Sequence, residues 1–542
     1  MSRGGTGMPG ANDPCSHPIP AGARGLLRST DMVLVALLLL ALPGASLAST
    51  IVVPDETPSI QAALDLMPDT VLVRSGAYAE SPTVLMDWTS PGGVVLMGIG
   101  PTAPELDGLR ILIHHEQELI VVDGFHFKGL VRLDTGDEVT EWIAFRRCVF
   151  DAGFAETYSD IKDVSGLEFR DCRIRGDFAP FAEHSYTFAD NVVEGTVRLR
   201  GMYLYGLDIR DNTFSAGPSP SPWIPGLWVD GDALSGMIQG NKITGFPKAM
   251  YVPYAEGLVI SANRVEDAPD YGIRSGPITY SVTLVGNEIM RCGTGMVLEG
   301  GAAYVRGNVI GRSLRSGIEA NLDYSGLDVR HNTIYLSGRS AIEITGPAGE
   351  SAVAIEHNIG YGNGSYGLSG APTGTSLSCN DWFGNAAGAV FPSGPGATDL
   401  DVDPLFCSLP DDSVHLVAAS PLIDAPGCGL IGARGEGCNR TTAVATMPPA
   451  GGRFRLGPIA PQPAVRDVEI RFELSRAATV ELVILDLQGR VIARLADGAH
   501  PAGEHRVRWP LGGDRGPATP GMYFARYRYP GGEQTRALIR LR

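Results

Sequence analysis

The chain has 542 residues, with 70 Gly and 39 Pro against an aromatic fraction of 7%, a balance that disfavours long helices and favours turn-rich β structure. Its net charge of −17 is uneven: residues 453–542 hold 15 Arg against 9 Asp and Glu, so the body from 49 to 452 carries −24. An acidic body repels nucleic acid and anionic membrane surfaces, which sets both aside as partners.

In chain order, residues 1–48 form an extended leader and a signal peptide. The apolar run "MVLVALLLLALPGASLA" at 32–48 ends in small residues and follows Arg24 and Arg28, the layout of a secretory signal cleaved near Ala48. No integral membrane span remains after cleavage, so the expected location is secreted or cell-surface. Seven cysteines follow the signal, none in a CxxC pair. Seven is odd, so at least one thiol stays free, and no metal site is expected. Cys428 with Cys438, and Cys379 with Cys407, are candidate staples in an oxidising compartment. Near residue 57 a short helix is expected, capped by Thr57, with Pro58 first and Ile60, Ala63 and Leu64 on one face.

From residue 148 a repeat dominates. Cys148, Cys172, Asn191, Asn212, Asn241, Asn263, Asn287, Asn308, Asn332 and Asn358 recur 19 to 29 residues apart. Each follows a short alternating run, as in "GLDVRHNTIY" at 326–335, so each unit is built from strands. Leu327, Val329 and Ile334 face one side, and Asp328 and Arg330 face the other. Stacked Asn side chains can bond from rung to rung at the turn. His331 and His357 sit just before the Asn. A second strand recurs about eleven residues later, as "KAMYV", "YGIRS", "TGMVL", "SGIEA", "SAIEI" and "YGLSG".

This pattern resembles the right-handed parallel β-helix of the pectate-lyase-like superfamily, over roughly residues 50–438. The segment 51–80 is similar to that group's N-terminal cap, and 403–438 to the closing segment of secreted bacterial β-helix proteins. The resemblance implies an all-β chain: a right-handed parallel β-helix of eleven or twelve coils at 49–440, then a small β-sandwich. Residues 441–466, rich in Pro, Gly, Ala and Thr, form a linker. The runs "VEIRFEL", "TVELVILDL", "HRVRWPL", "GMYFARYRY" and "RALIRLR" in 467–542 resemble a FlgD-like or type IX sorting Ig-like module. Such a module implies secretion machinery as a partner, or a structural appendage.

The outward column of the second strand is the candidate site. Trp228, Tyr251, Arg274, Glu319 and Glu343 share it, with Asp230, Glu299 and Asn321 two residues further along their strands. Aromatic faces beside carboxylates suit a polysaccharide or cell-surface glycan. Trp228, Asp230, Tyr251, Glu299 and Asn321 are assigned to binding; Glu319, Glu343 and Arg274 are the candidates for catalysis. Two glutamates on neighbouring rungs approach the carboxyl spacing of a retaining glycosidase. The loop "SAGPSPSPWIPG" lies next to Trp228 in the longest repeat.

Enzymes of the superfamily set a pattern that this chain lacks. The Asn-Thr-Asp, Asp-Asp, Gly-His-Gly and Arg-x-Lys elements of the pectin hydrolases are absent: "HNT" at 331–333 runs into Ile334. No cofactor is expected. "TDLDVDP" places Asp399, Asp401 and Asp403 alternately, a calcium-like pattern without the Glu or Gly that such a loop needs. The function expected is therefore exported carbohydrate interaction without an assignable catalytic set. A divergent polysaccharide lyase or glycoside hydrolase, and a structural surface stalk or adhesin, are the alternatives.

Overall fold

The structure is a computed structural model. It describes residues 49–438 except 87–92, 114–118, 136–139, 153, 157–163, 234, 323–325 and 347–351, and residues 455–540 except 461–463, 465–466, 475–476, 487–489, 514–515, 520 and 531. The leader and signal expected at 1–48 lie outside the described residues. The chain divides into two compact units, Met1–Asn439 and Arg440–Arg542.

The first unit is a solenoid of parallel strands. Sheet A stacks fifteen strands, from Thr50–Val53 to Ser376–Ser378; sheet B stacks thirteen, from Ala77–Tyr78 to Ile359–Tyr361; and sheet C stacks nine, from Val197–Leu204 to Gly388–Phe391. A four-stranded sheet from Thr83–Met86 to Phe154–Glu156 precedes sheet C, joined to it through bridges at Phe178. Fifteen rungs exceed the eleven or twelve expected from the repeat. The early rungs lack the marker: Phe125 fills the slot that Cys148, Cys172 and then Asn191 occupy, since Val149, Arg173, Val192 and Thr213 donate to the carbonyls of Phe125, Cys148, Cys172 and Asn191 in turn.

The ladder forms as the spacing implies. From Asn212 to Asn380 each Asn Oδ1 accepts from the backbone N–H and the side-chain amide of the Asn one rung earlier, as Asn332 does from Asn308 at 2.9 Å each, whereas Asn191 Oδ1 accepts from Cys172 N. Each amide also donates back to a strand carbonyl, as Asn332 Nδ2 does to Val305 O at 2.8 Å. The residue before each ladder position is left-handed. It is Gly at 240, 286 and 307, and elsewhere Arg147, Asp171, Asp190, Asp211, Ala262, His331, His357 or Cys379, with φ between 52 and 59°. His331 and His357 thus turn the chain, and their rings stack 4.7 Å apart.

The interior is a continuous column. Leu327, Val329 and Ile334 are buried, and aromatic stacking such as Phe145 on Phe169, 5.3 Å apart, fills the N-terminal rungs. A helix, Ile60–Leu64, lies near the start of the solenoid and begins two residues later than expected. Its N-cap is Ser59, not Thr57, accepting from Ala62 N at 3.1 Å. Glu80 supplies the further acceptors for Ile60 and Gln61 N–H, so the cap that counts is partly tertiary.

After the last rungs, residues 403–438 fold back over the outer face of sheet B as a strap. Arg312 Nε donates to Asp412 at 2.7 Å, Tyr335 Oη donates to the same carboxylate at 3.0 Å, and Ala433 N donates to Thr333 Oγ1 at 2.9 Å. The same four cysteines named from sequence staple it, but with the partners exchanged: Cys379 pairs with Cys428, and Cys407 with Cys438. Cys148, Cys172 and Cys292 are free and buried, and burial pushes the Cys292 thiol up to about 12.

The second unit consists of antiparallel sheets around a core that includes Leu456, Ile470, Phe472, Leu482, Trp509 and Tyr527. A strand at Arg455–Ala460 pairs with Val468–Leu474, so part of the stretch expected as linker belongs to this fold.

Candidate functional site

Sheet C carries the outward columns in the register expected. Arg198, Trp228, Tyr251, Arg274, Val297, Glu319, Glu343, Ser369 and Phe391 lie on successive rungs. Two residues on, Arg200 faces Asp230, and Glu299, Asn321 and Thr345 continue the line. All eight residues singled out from sequence share this face, most of them half-buried and Asn321 exposed.

Their contacts change what they can do. The Arg198 guanidinium lies 4.1 Å from the centre of the Trp228 ring, and the Tyr251 ring lies 6.1 Å away on the next rung. Neighbouring rungs therefore take the positions a sugar would need above and below Trp228. The Trp228 indole Nε1 is buried without a hydrogen-bond partner among the described residues. Asp230 accepts from Arg198 Nε at 2.6 Å. Arg274 donates to both oxygens of Glu299 at 3.0–3.2 Å. Burial works against the Arg274 charge, but the Glu299 pair outweighs it and raises the pKa. Burial also raises the Tyr251 hydroxyl.

Glu319 and Glu343 are direct neighbours in register, and each is already partnered. Glu319 accepts from Thr294 Oγ1 at 3.0 Å and lies 3.9 Å from Arg315. Glu343 accepts from Ser316 Oγ and lies 3.5 Å from Arg339. An arginine four residues upstream balances each carboxylate.

The most exposed aromatic among the described residues is Trp223, 79% exposed, on the loop between Thr213–Ser215 and Leu227–Ala233. Lys248 Nζ lies 5.6 Å from its ring, so the loop reaches the edge of sheet C at the start of the strand Lys248–Val252. The loop was conspicuous in sequence by its length and prolines. Arg198 was not: the same long insertion separates it from Trp228 and breaks the period.

Asp399 does not stand free among its neighbouring aspartates. Its Oδ1 ends the Asn ladder, accepting from Asn380 N and Nδ2 at 3.0 Å, and its Oδ2 accepts from Trp382 Nε1 and Gly396 N at 3.0 and 2.9 Å. Asp381, fully buried, accepts from Val402 N through Oδ1, whereas Oδ2 has no partner among the described residues. Burial, reinforced by Asp401, Asp403 and Asp399, pushes its pKa to about 8. Among the described residues, no three such side chains are placed to hold a metal ion.

Residues 225–381 match the family model described as a right-handed beta helix region. The solenoid is a right-handed β-helix. No curated protein matches the chain. A solved structure described as dimeric latent PorU from Porphyromonas gingivalis is similar at 20% identity over 17% of this chain and 10% of its own, with a TM-score of 0.15. The chain thus spans a small part of that protein. No helix among the described residues is long and apolar enough to cross a membrane.

Proposed function

We propose that this is an exported protein whose β-helix binds a polysaccharide along sheet C. The observation that carries the proposal is the exposed Trp223 ring beside Lys248, at the edge of a face whose next rungs hold Tyr251, Arg274 and Glu299. A free ring face stacks on a sugar while paired charges exchange hydrogen bonds with its hydroxyls. In this reading Trp228 positions Tyr251 and Arg198, and Trp223 makes the stacking contact. Two disulfides in the strap fit an oxidising compartment. The second unit serves as the FlgD-like or type IX sorting module, engaging secretion machinery. No cofactor or calcium enters the proposal.

A glycan array followed by affinity electrophoresis tests it. Wild type should bind at least one polysaccharide, and Trp223→Ala should weaken that binding tenfold or more, with Arg274→Ala in the same direction. Unchanged binding in both variants would sink the idea. The adjacency of Glu319 and Glu343 favours one other reading, a divergent glycosidase or lyase. Reducing-end or unsaturated products that disappear in Glu319→Gln would establish it.

A further inference from the structure

The outer face of sheet A sorts its charge by column and by rung. From the strand Val164–Arg170 to Val353–Glu356, two outward columns run two residues apart. The first carries the acids Glu168, Asp208 and Asp328. The second carries Arg170, Arg210 and Arg330, each paired with the acid of its own strand at 2.6–3.4 Å. Arg306 and Glu356, also in the second column, join Asp328 and Arg330 at 2.9 and 3.0 Å. The two columns therefore balance within a body that carries −24. Between these flanks they lose their charge. Met237, Val259 and Thr283 lead to Tyr304 in the first column, with Gln239, Ser261 and Val285 beside them. Met237, Val285 and Tyr304 are exposed, as are Tyr205 and Tyr280 at the corner that leads in from sheet C. At the opposite corner, Asp171, Asp190 and Asp211 give way to Gly240, Ala262 and Gly286 over the same rungs. Glu256, at the bulge before Leu258, borders the neutral stretch.

An uncharged centre with aromatic residues inside a charged rim is the anatomy of a protein interface, and the order of the charges fits a second copy of this chain. A two-fold axis parallel to the solenoid keeps each rung at its height and exchanges the two columns. Asp208 then meets Arg210 of the second copy, Asp328 meets its Arg330, and Tyr304 meets its Arg306. In the centre Val259 meets Ser261, and Thr283 meets Val285. Each acid faces an arginine, and no pair within a copy is broken. A two-fold axis along the strands, through the middle of the neutral stretch, reverses the rungs instead. It sets Asp208 against Asp328 and Arg210 against Arg330, like charge on like. We propose that sheet A is a self-association face that joins two copies with their solenoid axes parallel and pointing the same way. The exposed charges set orientation more than strength. The rungs from Gly206–Arg210 to Leu327–Arg330 span about 29 Å at ~4.8 Å each, and a five-residue strand about 17 Å, on the order of 500 Å² per copy. That total of about 1,000 Å² is the lower end for a specific interface, so a reversible dimer with a Kd on the order of micromolar follows. The face stands independently of the sheet C proposal.

The test is sedimentation velocity with light scattering on the full chain, from about 1 to about 100 μM. The mass of the wild type should double across that range. Val259→Arg and Val285→Arg, both outside the core, should weaken association at least tenfold while keeping the wild-type melting point. Asp208→Arg should weaken it as well. The exchange Asp208→Arg with Arg210→Asp should restore wild-type association, because opposite charges again face each other across the two-fold axis. Trp223→Ala should leave the dimer intact, which separates this face from sheet C. A monomer at every concentration, or a dimer that neither valine variant weakens, would overturn the proposal. So would an exchange variant that associates more tightly than the wild type, since that result belongs to the reversed arrangement. A monomer whose binding to a polysaccharide is lost in Val259→Arg would assign the face to a glycan instead.

Discussion

Asp399 stands where the ladder runs out of rungs. Every earlier Asn must accept from one neighbour and donate to the next, whereas the last member has no next ladder residue and can consist of acceptors alone. Oδ2 takes the Trp382 indole and Gly396 N–H instead. Asp399→Asn would turn a donor toward two donors, leaving buried polar groups unpaired at about 1–3 kcal/mol. A lower denaturant midpoint with an unchanged slope is the expected result. Asp381 makes a different prediction, in pH. Its carboxyl titrates near 3.8 in the unfolded chain and near 8 when folded. Between those values the folded state holds a proton that the unfolded state has released. Stability from this group is therefore greatest below about pH 4 and declines up to about pH 8, by on the order of 5 kcal/mol. His331 works in the opposite sense, since burial first and then His357 lower its pKa; its contribution is present above about pH 6.5 and is lost as pH falls below that value. The comparison must therefore be between Asp381→Asn and wild type: the thermal-midpoint advantage of the variant should grow from pH 5 to pH 8. An advantage independent of pH would refute the assignment.

Among the elements, the glycines at the start of the sheet C strands are pressed from two sides. A Cβ on Gly272 or Gly295 would meet the carbonyl oxygen of the next rung's Gly295 or Gly317 at 2.6 and 2.4 Å and the Cγ2 of Ile289 or Ile310 at 2.7 and 2.5 Å, and one on Gly317 would meet Ile334 Cγ2 at 2.2 Å. The neighbouring rung's backbone and the inward aliphatics of sheet B together favour Gly at the corner leading into sheet C. The repeat "TGMVL" and "SGIEA" shows the Gly without showing what presses on it. Gly317→Ala should cost about 1–3 kcal/mol through overpacking, measured by equilibrium denaturation of the full chain. A stabilised variant would mean that the rung relaxes more easily than its two-sided packing implies.

For the whole molecule, the strap decides what covers sheet B. Each rung of a solenoid is held mainly by its neighbours, but Tyr335 and Ile359 are buried by residues 403–438 lying outside the stack. The disulfides close separations of 49 and 31 residues, each adding about 2–4 kcal/mol by constraining the unfolded chain. In a Cys407→Ser, Cys428→Ser double variant, limited proteolysis should cut first within 403–438 while fragments of the earlier rungs persist. Simultaneous loss of both would show that strap and rungs unfold as one cooperative unit.

Much of the fold was legible because a β-helix writes its contacts into its period. Asn241 and Asn263 meet since 22 residues make one turn, and Trp228, Tyr251, Arg274, Glu319 and Glu343 line up for the same reason. Contacts that the period does not relate were hidden. The first rungs lacked the Asn, and the loop before Trp228 concealed Arg198, whose guanidinium occupies a ring position that the sequence left for a sugar. The strap likewise exchanged the cysteine partners. The coil, its core and the register of its columns could be read from residue order, since they follow from spacings repeated rung after rung. Which charges were already paired emerged only once the chain was folded, because those contacts join residues such as Arg434 and Glu288 that no repeat relates.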